Sequence, residues 1–167
     1  MQLHVPSDQF QESYKQYIKE LGSEERYPFP LDFDCSDFDA YLLKVEDFEF
    51  GRNLPTAYVQ STTRWLILDD EIVGVTNMRH HLNESILRCG GHIGLSIRPS
   101  QRGNNLGTRL MAMSINYLRD QLSVGDIHIH CHKSNVASSK AIIACDGVLD
   151  SDIDDNGHIV ERYIVSA

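Results

Sequence analysis

The segment from residue 91 to residue 132 constrains the fold more than any other part of the chain. "GGHIGLSIRP" is an apolar run of strand length, ended by Pro99, because proline has no N–H to give to a ladder. From Leu106 to Leu122 the period becomes helical. Leu106, Leu110, Met113 and Tyr117 fall on one line, with Met111, Ile115, Leu118 and Leu122 beside it. An apolar face this broad belongs against a sheet. "DIHIHCH" then returns to the alternation of a strand. Strand, helix and strand in that order predict a crossover whose two strands are parallel neighbours or nearly so.

The flanking segments fit an α+β layout. Before the crossover, Phe10, Tyr14, Tyr17, Ile18 and Leu21 lie at helical spacing, with Ser7 as the expected N-cap and Gly22 as the stop. "RYPFPLD" breaks the chain with two prolines, and a second helix is expected from Ser36 to Gly51. "RWLILDDEIVGVTNMRH" reads as two strands joined at Asp69, Asp70 and Glu71. After the crossover, "SNVASSKAIIAC" predicts a helix capped by Ser134 or Asn135. The end is a hairpin turning at Asn156-Gly157, a pair suited to positive φ. With no repeat and no linker, residues 1–167 are expected to form one domain.

The loop between the first crossover strand and its helix carries the chemistry. A helix starting near Asn105 or Leu106 leaves several backbone N–H groups unpaired, at the positive end of its dipole. Gly103 and Gly107 let the backbone approach a bulky anion and take positive φ, and Arg102 stands nearby as a bidentate donor. Neither GK[ST] nor GxGxxG occurs. Many such turns bind nothing, so the loop alone leaves a phosphate site and a plain turn both open.

A second motif narrows this. "SIRPSQRGNNLGTRLM" resembles the acyl-CoA-binding loop of the GNAT superfamily of N-acyltransferases, with Arg102, Asn105 and Gly107 at the motif positions. "NVASSK", one strand later, resembles the family's second cofactor-side motif through Asn135 and Ser138. The resemblance implies a GNAT-like fold: a mixed, mostly antiparallel central sheet with a parallel splayed strand pair, flanked by helices. It implies acetyl-CoA as co-substrate, its pantetheine arm beside the backbone of Leu95, Ser96 and Ile97. The pyrophosphate would rest on the N–H groups from Arg102 through Gly103, Asn104, Asn105, Leu106 and Gly107, with Thr108 in reach. Asn135 and Ser138 would contact the cofactor from the other side.

There are two departures. Asn105 replaces a glycine, although asparagine tolerates the left-handed region. Ile142 stands where many members carry a tyrosine that protonates the departing thiolate, and Tyr163 is the nearest substitute the sequence offers.

Acetyl transfer to an amine needs a group to take the amine's proton. Glu84 and His92 are the candidates, against the plainer readings of a solvated carboxylate and a packed strand histidine. Arg79, His80 and Asn83 sit in the same run and are expected to orient the acceptor, with His132 touching it from the later strand. His128, His130 and His132 share one strand face, but three histidines on a straight strand are too far apart for a compact centre, and no metal is expected. Arg162 reads as a surface charge.

The formal net charge of −9 argues against nucleic acid and leans toward amines such as polyamines or peptide N-termini and lysines. No apolar run is long enough for a membrane span, and "MQLHVPSDQF" lacks a signal-peptide pattern. A cytoplasmic protein with four free thiols is expected, and the closing hairpin offers an edge for a homodimer. The alternative to an enzyme is a non-catalytic acyl-CoA-binding module, a sensor or a partner-binding domain.

Overall fold

The computed structural model describes residues 1–167. The chain runs β1 (Gln2–His4), α1 (Gln11–Leu21), α2 (Phe38–Glu49), β2 (Ser61–Leu68), β3 (Glu71–Arg79), α3 (Glu84–Arg88), β4 (Ile93–Ile97), α4 (Leu106–Leu122), β5 (Ile127–His132), α5 (Val136–Ile143), β6 (Val148–Asp155) and β7 (His158–Val165). The strands form two sheets, ordered β1-β2-β3-β4 and β5-β7-β6, and every ladder is antiparallel. β4 and β5, the strands expected to splay, share no ladder. The segments meet at one isolated bridge of antiparallel pattern, Gly91 to Ile129, just before β4 begins.

Helices cover both faces. α1 and α2 bury Tyr14, Tyr17, Phe38 and Tyr41 against Trp65, Ile67 and Val75, with Tyr14 stacked on Trp65 at 5.4 Å between centroids. α4 and α5 cover the other face, where Met111, Ile115, Leu118 and Ile142 meet Met78, Ile93, Ile129 and Tyr163. Strand alternation therefore decides which side chains face which chamber.

The ends of several elements differ from the sequence reading. β1 and α3 are too short to show a period. Ser7 opens a short 3-10 turn without a side-chain cap bond, and α1 begins only at Gln11. α2 begins at Phe38 rather than near Ser36, and Asp37 caps it by accepting from the Ala40 N–H. All four cysteines are unpaired.

Candidate functional site

The loop after β4 is built to expose donors. Pro99–Gln101 makes a 3-10 turn, after which Gly103 takes φ 83° and Asn105 φ 59° with ψ 16°. Asparagine thus keeps the left-handed step that the related loop gives to glycine. From Gly103 to Thr108, six consecutive backbone N–H groups have no partner within the chain. Residues 102–105 are exposed, so water satisfies the donors of Gly103, Asn104 and Asn105 at little cost to the fold, and an anion can replace it.

Two loop residues depart from expectation. Gly107 lies within α4 without positive φ; its missing side chain matters as space, since a Cβ there meets only Ile97 Cγ1, at 3.9 Å. Arg102 is engaged: its Nε donates to the Ile97 carbonyl at 3.1 Å, and its guanidinium forks onto Glu24 at 2.7 and 3.1 Å.

The cradle continues along β4. Arg79 donates its N–H to the His92 carbonyl and Arg98 to that of Val73, which fixes the bonded pairs of the β3–β4 ladder. Between them, Leu95 and Ile97 turn their backbone groups away from β3, into the gap beside β5. The Ser96 hydroxyl faces the opposite helical layer and accepts from Tyr17 Oη at 2.9 Å. Across the gap α5 begins at Asn135, whose carboxamide oxygen caps the helix by accepting from the Ser138 N–H at 3.1 Å.

Where the strands part, the contacts are close. A Cβ on Gly91 would lie 2.5 Å from the His128 carbonyl oxygen, and its φ is +68°. Only glycine allows β5 so near. The His92 N–H donates to the same oxygen at 2.7 Å, and the His128 N–H returns a bond to His92 Nδ1 at 3.0 Å. His92 is buried, so burial first, then His128 and Arg79, push its pKa down to about 4. With Nδ1 accepting, the ring proton sits on Nε2. His92 therefore presents a donor there.

His130 repeats the pattern. Its Nδ1 accepts from the Gly90 N–H at 3.0 Å, leaving Nε2–H buried and without a partner. Burial, then Arg162, His128 and Arg79, lower its pKa to about 4. The His128 ring lies between these two, 5.9 Å from His92 and 6.4 Å from His130 by centroid, with both nitrogens free of partners.

The same face continues into β2 and β3. Asn77 stands opposite Gly94 in the ladder. Its Nδ2 donates to Ser61 and Thr63, while Oδ1 is buried with no partner. The Tyr27 ring covers Gly94 closely enough that a Cβ would meet it at 2.8 Å.

The other expected site residues are more dispersed. Arg79 lies on this face and donates to the Gly91 carbonyl at 2.7 Å. Glu84 is exposed in the first turn of α3, and Asn83 caps that helix while bonding the Ala57 carbonyl. His80 turns instead to Thr62 Oγ1 at 2.8 Å. His132 lies at the far end of β5, 5.8 Å from the His158 ring, beside a shallow cavity of 240 Å³. Tyr163 sits on the α5 side, its hydroxyl donating to Glu161 at 2.7 Å; burial and Glu161 push its pKa up to about 12. Ile142 is a core residue.

Sequence reasoning missed Tyr17, Tyr27, Asn77, His128 as a free ring, and Arg162. Asn77 had a usable signal, a carboxamide inside an otherwise inward-facing strand run.

A family model described as an acetyltransferase (GNAT) domain matches residues 11–147. A microcin C7 self-immunity acetyltransferase, solved with acetyl-CoA and AMP, is 15% identical, with a TM-score of 0.72 over 99% of this chain and 91% of that one. A ribosomal-protein-S5-alanine acetyltransferase from Vibrio fischeri is 12% identical, with a TM-score of 0.74 over 98% and 91%. A variant spermidine N-acetyltransferase from Vibrio cholerae is 12% identical, with a TM-score of 0.68 over 99% and 95%. No curated protein matches the sequence.

Proposed function

The chain belongs to the GNAT acetyltransferase family, and we propose that it transfers an acetyl group from acetyl-CoA to a primary amine by direct attack in a ternary complex. The observation that carries the reading is the run of six unpartnered N–H groups from Gly103 to Thr108. It provides a pyrophosphate seat without a cationic side chain, which fits Arg102 being held by Glu24. The pantetheine arm extends along the outward backbone of Leu95 and Ile97. An outward β4 N–H stabilises the thioester oxygen as charge develops on it. The free Nδ2 of Asn135 and the Ser138 side chain border the arm from α5.

The amine must lose a proton as the new C–N bond forms and the C–S bond breaks. His128 takes it, directly or through water, because its ring nitrogens are unengaged and it stands where β4 and β5 part. His92 serves as a neighbouring Nε2–H donor. Tyr163 and Glu84 face away from this point or lie in solvent, so neither acts in the transfer.

Calorimetry with acetyl-CoA tests the reading, and binding is expected. Gly107→Val should weaken it by about tenfold or more while leaving the melting temperature nearly unchanged, because the added carbons enter the space meant for the ligand. Unchanged affinity in that variant would remove the loop from the site. Binding without CoA release for any amine would favour an acyl-CoA-binding module.

A further inference from the structure

At the point where β4 leaves β5, the chain gathers basic groups that have no direct carboxylate partner. The Arg79 N–H donates to the His92 carbonyl one step beyond the last β3–β4 pair, Met78 with Ile93, and that register carried on puts their side chains on one face. His130 and Arg162 are opposed in the β5–β7 ladder and share a face likewise. The His92, His128 and His130 rings join the two sets. Neither arginine has a carboxylate within ion-pair distance. Arg79 donates to the Gly91 carbonyl, and Arg162 spends both Nε and Nη2 on the Ser151 hydroxyl, at 2.9 and 2.7 Å, which in turn donates to Asp150 Oδ2, so a carboxylate reaches Arg162 only through that hydroxyl. The charged and titratable neighbours that act most strongly on the His130 ring are basic: Arg162, His128, Arg79 and His92. In a chain carrying −9, two half-buried arginines left without a direct carboxylate partner are unexpected as mere surface charge.

The orphaned polar atoms on this face complete the pattern. The buried Nε2–H of His130 lacks an acceptor, and the buried Oδ1 of Asn77 lacks a donor. A buried polar atom left unpaired is unfavourable, so such atoms point to a ligand with complementary groups. A ligand with an anionic group and an N–H group satisfies both.

We propose that the acceptor amine carries an anionic group, a carboxylate or a phosphate, held by Arg79, Arg162 and His130 while Asn77 Oδ1 receives an N–H of the amine. This rests on the transferase reading for its amine, but the anion seat is a property of the fold alone. It also runs against the preference for polyamines that the net charge suggests, since a second cationic group would sit against two arginines.

The test has two arms. In the first, histidine side-chain NMR of the free protein follows titration with inorganic phosphate and, separately, acetate. Saturable shifts of the His130 and His92 signals are expected with at least one ion, and its identity distinguishes phosphate from carboxylate. Arg162→Gln should weaken that binding by about tenfold or more, the loss of one charge-assisted hydrogen bond, and Arg162→Lys should restore part of it. The absence of saturable shifts with both ions would overturn the anion seat, whatever the catalytic outcome.

In the second arm, CoA release is measured with phosphoethanolamine against ethanolamine, with amino acids against their carboxamides, and with spermidine. A charged member of a pair should exceed its neutral partner in kcat/KM, and Arg162→Gln should raise KM for that member alone. Preference for the neutral amines or for spermidine would overturn the proposal. Anion binding without release for any amine would instead keep the seat and sink the transferase reading.

Discussion

At the scale of single residues, hydrogen-bond partners separate three neighbouring histidines. His92 and His130 each give Nδ1 to a backbone N–H, whereas the His128 ring keeps both nitrogens free. A ring with a free lone pair takes a proton; a ring whose lone pair is spent gives one. His128→Gln should therefore lower kcat by about a hundredfold with little change in acetyl-CoA affinity, the usual size of a lost general base. Single-turnover kinetics beside calorimetry check this, and an unchanged rate would pass the role to another group. The alternation of "HIHCH" places His128, His130 and His132 on one face from the sequence. The division of labour among His92, His128 and His130 was not legible, because the partner of His92 comes from β5 and that of His130 from the turn before β4.

At the scale of elements, the loop into α4 was the most readable part. Its strand, proline stop, polar turn and helix start all lie within one short stretch, and each is a local preference. Asn105 occupies the left-handed region, as expected of an asparagine standing for glycine. Asn105→Gly should preserve both stability and acetyl-CoA affinity, whereas Asn105→Ala should cost about 1 kcal/mol through left-handed strain. Urea denaturation of the two variants checks the sign, and an alanine variant as stable as the glycine one would remove the constraint. The positive φ expected of Gly107 failed because the helix has already begun there; its value is the open space beside Ile97. α3 and β1 escaped notice since three to five residues span too little of either period. Arg102 looked free in sequence because its partner, Glu24, arrives from the turn after α1.

At the scale of the whole molecule, stability should depend on pH through buried histidines. Burial leads in lowering the pKa of His92 and His130 to about 4, and it lowers that of His80 as well. An unfolded chain protonates these rings near pH 6.5, so between that value and about 4 it binds more protons than the fold does. Stability is thus fully present above pH 6.5 and declines as pH falls through this window. The urea midpoint of the parent should drop from pH 7 to pH 4.5 more than that of a His92→Gln, His130→Gln double variant; equal drops would rule out this origin. The two domain-wide readings from sequence, an α+β order and a strand–helix–strand crossover, follow from the 2- and 3.6-residue periods that neighbouring side chains carry by themselves. What only the tertiary structure decided is the character of the site. Net charge sums over the whole surface, whereas a bound group feels charges within about 8 Å at physiological salt. Arg79 and Arg162 lie far apart in the chain, and only the pairing of β3 with β4 and of β5 with β7 brings them to the place where the sheets divide.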